Sequence, residues 1–149
     1  ERLVGSEMCI RDRKKRVNFL EETFALLKLE NITAIHGRAE EFAKNKAYRE
    51  QYDLCVSRAV SNLATLSEYC LPYVKVGGNF ISYKSGTVQE ELQQAEKAVK
   101  ILGGKIQDVV YFNLPDSEIQ RSLVVIEKMK STPGRYPRKA GTPLKEPLS

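Results

Sequence analysis

The residues best placed to do chemistry lie in YDLCVSRAV, Tyr52 to Val60. Leu54-Cys55-Val56 reads as a buried strand that delivers Ser57, Arg58 and Ala59 to its C-terminal mouth before a new helical pattern begins. In an open α/β sheet, ligands bind beyond the carboxyl ends of the strands, so Arg58 stands where a ligand would be held. The same arginine also reads as a cap on nearby carbonyls or the partner of a carboxylate. A second set of cations lies at the ends of the chain. Residues 1–16 carry six Lys/Arg against three Asp/Glu, residues 127–149 six against two, and residues 17–126 twelve against fourteen. A near-neutral centre with basic ends fits a folded domain with an electrostatic arm for a polyanion; a solvated tail without a partner has the same composition. The three cysteines, Cys9, Cys55 and Cys70, form no CxxC pair, which supports neither a zinc site nor a disulfide framework. They read as reduced thiols of a cytoplasmic protein. His36, the single histidine, is at a loop edge and is assigned no role.

The elements that must hold these residues follow from periodicity. At 149 residues, 42% hydrophobic and 29% charged, the chain is long enough for one domain with a real core. No apolar run approaches the roughly 20 residues of a membrane-spanning helix. From Lys14, Val17, Leu20, Phe24 and Leu27 recur at helical spacing, with Phe19 and Leu26 widening the stripe, which predicts an amphipathic helix ending near Glu30-Asn31. A short strand over Ile32–Ile35 and a short helix from Ala39 to Lys44 come next. After the central strand, Ser61 or Asn62 can cap a helix with Leu63, Leu66, Cys70 and Val74 on one face, bent or ended by Pro72. Gly77-Gly78 reads as its stop, Asn79–Tyr83 as the next strand, and Val88, Leu92, Ala95, Val99 and Leu102 as a further helix closed by Gly103-Gly104. Two strands, Ile106–Phe112 and Leu123–Met129, read as an antiparallel pair at the sheet's edge. This alternation is the pattern of a doubly wound α/β fold. Residues 130–149 hold four of the six prolines and read as an extended basic tail lying on the surface or on a ligand.

Five segments, KRVNFLE, HGRAEEF, YDLCVSRAV, GGNFISYKSG and YPRKAGTPLKEPL, resemble in order and spacing the bacterial 16S ribosomal RNA guanine-N7 methyltransferases, the RsmG or GidB family. The resemblance runs from about Lys14 to the C-terminus. It implies a Rossmann-like class I methyltransferase fold that uses S-adenosylmethionine and acts on the 16S RNA of the small ribosomal subunit, in the cytoplasm, as a monomer when full length. By the same resemblance, Ala39 and Glu40 match the residues that contact the adenosine part of the cofactor, and Arg58, which matches the family's arginine after its fourth strand, belongs to the same cofactor pocket. Lys84 matches its lysine after the fifth strand, so that Arg58 and Lys84 make a cradle for RNA phosphate or a base edge. Arg135, Arg138, Lys139 and Lys145 are then RNA-phosphate contacts of the tail. Methylation at guanine N7 asks for no catalytic base, since that nitrogen already presents a lone pair and loses no proton.

The departures from the family pattern are equally specific. No GxGxxG-like run stands anywhere in the chain, so the family's first strand and glycine-rich loop have no counterpart, and Arg11 falls where the family has an acid. VGSEMCIRDR resembles a translated sequencing-adapter scar. The expected organisation is therefore a non-native segment over 1–13, the C-terminal part of a Rossmann-like domain over 14–129 and a basic Pro-rich tail over 130–149, with the edge of Leu54-Cys55-Val56 left open. Such a chain is expected to bind cofactor weakly and to be inactive if the missing loop is essential. The alternative function is a non-catalytic RNA-binding α/β module that works through its tail.

Overall fold

The computed structural model describes residues 7–58 and 61–149; Ala59, expected beside Arg58, and Val60 lie outside the described residues. In chain order the elements are β1 (Glu7–Arg11), α1 (Lys14–Leu26), β2 (Ile32–His36), α2 (Ala39–Phe42), β3 (Tyr52–Ser57) and α3 (Leu63–Cys70). A 3₁₀ turn at Leu71–Tyr73 leads into β4 (Val74–Ser85), followed by α4 (Gln89–Ile101), β5 (Gly104–Asn113), β6 (Gln120–Lys128) and α5 (Thr142–Lys145).

Asn62 caps α3, its Oδ1 accepting the Thr65 N–H at 2.9 Å. Pro72 cannot continue the helix, so the chain tightens into the 3₁₀ turn, and Val74, which periodicity assigns to the helix, opens β4 instead. Gly77-Gly78 does not stop an element. The parallel register of β3 on β4 jumps from Tyr52↔Val74 to Leu54↔Asn79, and the glycine pair sits in that irregularity, Gly77 with φ +89. α1 ends earlier than its stripe predicts because Lys28 (φ 52) takes a left-handed conformation. Only Val17 of that stripe is buried, and Phe19, Leu26 and Leu27 are exposed.

Four strands form a mixed sheet in the order β3-β4-β6-β5, with β3 parallel and β6 antiparallel to β4. The predicted terminal hairpin is present as β5 and β6. Leu63, Leu66 and Leu71 from α3 and the turn, Val88, Ala95, Val99 and Leu102 around α4, and Phe80, Val124 and Ile126 from the sheet make one buried cluster. β1 and β2 form a separate parallel pair. Residues 1–13 were set apart from the fold on the sequence; Glu7–Arg11 is nevertheless a strand, because five successive residues find partners on β2. Among the described residues β3 has one neighbour, β4, and its other edge is unpaired. Leu54 and Val56 beside it are 52% and 55% exposed.

The tail corrects the expectation of an extended arm. Arg49 spreads its guanidinium over the carbonyls of Tyr136 (2.8 Å), Thr132 (3.0 Å), Pro133 (3.2 Å) and Ala43 (3.2 Å). Glu50 accepts the Thr132 N–H at 2.8 Å, and Thr132 Oγ1 donates to the Leu102 carbonyl at 2.7 Å. Tyr136 and Pro143 are buried. The segment is a strap docked on the domain, since its own backbone and side chains supply the polar partners that burial demands.

Candidate functional site

β2 ends at His36, and the chain turns through Gly37-Arg38 into α2, whose first residues are Ala39 and Glu40. Tyr73 Oη donates to the Ala39 carbonyl, which ties this turn to the start of β4. Glu40 is buried, yet its carboxylate makes one hydrogen bond among the described residues, Oε1 accepting the Gly141 N–H of the strap at 3.2 Å. Its second oxygen is not among the described side-chain atoms shut off from water without a partner, so it stays reachable and can accept from a donor. Burial pushes the Tyr69 hydroxyl upward, and the charges of Glu40 and Glu68 add to that. Arg38 acts on Tyr69 in the opposite direction, so the turn holds charges of both signs, and the reachable oxygen of Glu40 is the part of it that suits an N–H or O–H donor.

Arg58 follows the last residue of β3 and is exposed, with no ion pair among the described residues. Among the described residues it meets neither the carbonyl nor the carboxylate partner that the sequence also allows. Lys84, expected beside it as a second cation, is already committed. Its Nζ lies 2.6 Å from Glu91 Oε1 and 2.7 Å from the Ser61 carbonyl, with 10% of the side chain exposed. The same Glu91 oxygen accepts the Leu63 N–H at 2.7 Å. Lys84 thus ties Ser61 and the start of α3 to the end of β4, and this commitment takes it out of a cradle for phosphate.

The four tail cations separate in the same way. Arg138 is bound to Glu68 of α3 through Nε and Nη2, at 3.0 and 2.9 Å, with Glu68 fully buried. Glu68 raises the guanidinium pKa through these hydrogen bonds, more than burial lowers it. Arg135 lies 5.0 Å from the centroid of the Tyr136 ring and stays exposed. Lys139 and Lys145 are exposed and make no ion pair among the described residues. Three of the four remain open to an anion and one is spent on the fold. Sequence reasoning missed Glu68 and Glu91 as partners. Glu68 left a signal, the one charged residue in the run LATLSEYC, because a glutamate is seldom buried without a counter-ion.

A groove of 280 Å³ between α3 and α4, lined in part by Asn62, Glu91, Gln94 and Leu148, contains none of Ala39, Glu40 and Arg58. Among the described residues no three His, Cys, Asp or Glu gather as metal ligands, and no helix is long and apolar enough to cross a membrane.

A family model, rRNA small subunit methyltransferase G, matches residues 7–124. The chain belongs to that family. The ribosomal RNA small subunit methyltransferase G of Lachnoclostridium phytofermentans is 56% identical over 134 residues, which are 90% of this chain and 55% of that protein. The chain spans about half the length of the curated relatives it matches. Among solved structures, the fibrillarin pre-rRNA processing protein of Methanococcus jannaschii superposes with a TM-score of 0.60 at 20% identity, over 85% of this chain and 57% of that one. TYW2 of M. jannaschii, in complex with AdoMet, gives 0.60 at 13% identity, over 82% and 57%. At such identities the likeness carries the fold, which is the Rossmann-like fold of class I methyltransferases. Family membership gives the turn after β2 and the mouth of β3 their meaning, as the carboxyl ends of parallel strands where such folds hold ligands.

Proposed function

We propose that this chain is part of an enzyme that transfers a methyl group from S-adenosylmethionine to N7 of a guanine in 16S ribosomal RNA. The observation that carries the reading is the family match over residues 7–124, and Glu40 just after a strand end, largely buried with one oxygen held by Gly141 and the other still reachable, is the feature of this chain that fits it. When bound, S-adenosylmethionine supplies an electrophilic methyl group on a sulfonium. Ala39 and Glu40 receive the adenosine part: the first turn of α2 offers unpaired backbone N–H groups, and the free oxygen of Glu40 accepts from an amino or hydroxyl group. Arg58 adds a cation at the mouth of β3, where it meets a polar edge of cofactor or base.

Guanine N7 would accept that methyl group through its own lone pair. No proton leaves N7, so the protein's task is to align and desolvate the two reactants. Arg135, Lys139 and Lys145 hold RNA phosphates and set register without reading sequence. The partner is the small ribosomal subunit, the enzyme acts in the cytoplasm, and it works as a monomer. The test is incubation with methyl-labelled S-adenosylmethionine and unmodified 16S RNA, followed by nucleoside mass spectrometry. The reading requires label in 7-methylguanosine that is lost with Glu40→Ala. Label on another atom would refute it, and RNA binding without any transfer would favour a non-catalytic RNA-binding module.

A further inference from the structure

The strap meets the candidate cofactor site at one atom. Glu68, in the middle of α3, has both oxygens occupied: Oε1 accepts the Arg138 backbone N–H at 2.9 Å and Nε at 3.0 Å, and Oε2 accepts Nη2 at 2.9 Å. Three residues on, Gly141 takes a left-handed conformation, φ +86, and turns its N–H onto Glu40 Oε1. Beyond it the Pro143 carbonyl accepts Thr65 Oγ1 at 2.9 Å. Thr65 and Glu68 are three apart on α3 and share a face, so one helix grips the loop on both sides of Gly141. Glu40 sits on a different element with no polar tie of its own to α3 among the described residues.

We propose that Arg138, acting through Glu68, is a positioning residue for Glu40. The forked ion pair fixes the course of residues 139–142, the Gly141 N–H then holds one carboxylate oxygen, and the other is left facing the ligand. A glutamate has three side-chain torsions to fix before it can hold a donor, and a carboxylate already anchored meets its ligand without that loss. This inference rests on the reading of Glu40 as a contact to the adenosine part of S-adenosylmethionine. It also gives the tail a function apart from RNA, since the segment that presents Lys139 and Lys145 to solvent carries the anchor of the cofactor contact.

A double-mutant cycle on the full chain tests it, with S-adenosylhomocysteine titrated to millimolar concentration in a calorimeter. Arg138→Lys keeps a charge beside Glu68 and loses the fork, so circular dichroism is expected to remain native; Arg138→Ala removes both. With Glu40 present, Arg138→Ala is expected to weaken binding about tenfold and Arg138→Lys about threefold; in a Glu40→Ala background neither changes it by more than about twofold. Equal losses in both backgrounds would make the strap a mere brace and overturn the proposal, as would no loss in either. Should Arg138→Ala fail to fold, Arg138→Lys decides alone by the same comparison. Absence of binding by the unaltered chain would sink the cofactor reading and the proposal with it, whereas binding with additive losses sinks only the proposal.

Discussion

Replacing Arg138 with alanine removes a charged partner from a carboxylate that has no access to water, and the structure sets the scale of the effect. Glu68 is fully buried, and the Arg138 side chain supplies two of its three hydrogen bonds from the strap, at 3.0 and 2.9 Å; the backbone N–H at 2.9 Å survives the substitution. Breaking a buried pair on one side costs about 3–5 kcal/mol, because the remaining charge is uncompensated. That is a large part of the roughly 5–15 kcal/mol that holds a domain folded. For a chain of this length each kcal/mol lowers Tm by about 2–4 °C, so a fall of at least about 6 °C is expected. Pairing the change with Glu68→Gln removes the stranded charge and is expected to recover much of the loss. The assay is urea unfolding followed by circular dichroism at low and high salt, and a buried pair should respond little to salt. A loss under about 1 kcal/mol that vanishes in high salt is the behaviour of an exposed pair. It would refute the docking of the strap.

Three further outcomes follow from the same contacts. Replacing Arg135, Lys139 and Lys145 with alanine should flatten the dependence of log affinity on log salt for a single-stranded rRNA fragment by about 2, at roughly 0.7 per phosphate contact, while Lys84→Ala leaves the slope unchanged; an equal change from Lys84 in fluorescence anisotropy would return Lys84 to the RNA surface. Although burial works against it, Glu50 is held below the ordinary 4.5 by the Thr132 N–H and by Lys128, so its stability contribution is present above 4.5 and lost as pH falls through its lowered value. Burial lowers Lys128 from 10.5, so the unfolded chain binds that proton more tightly and stability rises with pH up to 10.5; denaturant midpoints unmoved at both ends of the pH range, or an acid limb that persists in Glu50→Gln, would contradict these assignments. The unpaired edge of β3 should promote association through Leu54 and Val56, so Leu54→Lys is expected to lower concentration-dependent light scattering with little change in Tm, and unaltered scattering would place the association elsewhere.

The alternation of helices and strands was legible because each buried face repeats with the period of its element, as Val88, Ala95, Val99 and Leu102 do along α4. The strand before Arg58 was legible as a strand but not as an exposed one: Leu54-Cys55-Val56 reads as buried, whereas Leu54 and Val56 lie open at the unpaired edge. Boundaries failed where backbone geometry outweighed composition. Gly77-Gly78 reads as a stop but fills an irregularity inside β4, and the left-handed Lys28 ends α1 short of the predicted Glu30-Asn31. The docking of the strap was hidden because its partners are far away in sequence. Arg138 is 70 residues from Glu68, and Thr132 is 82 from Glu50. A basic, proline-rich segment has the same composition whether its charges meet phosphates or buried carboxylates, and only the fold brings those acids within reach.

The central claim, that the turn after β2 and the mouth of β3 form one cofactor site, is tested most directly by titrating S-adenosylmethionine into the isotope-labelled chain and following backbone amide resonances. The account predicts that Ala39, Glu40 and Arg58 shift along one binding curve, and that Glu40→Ala weakens that curve for all of them. Shifts confined to Asn62, Gln94 and Leu148, in the groove between α3 and α4, with Ala39, Glu40 and Arg58 unmoved, would contradict it.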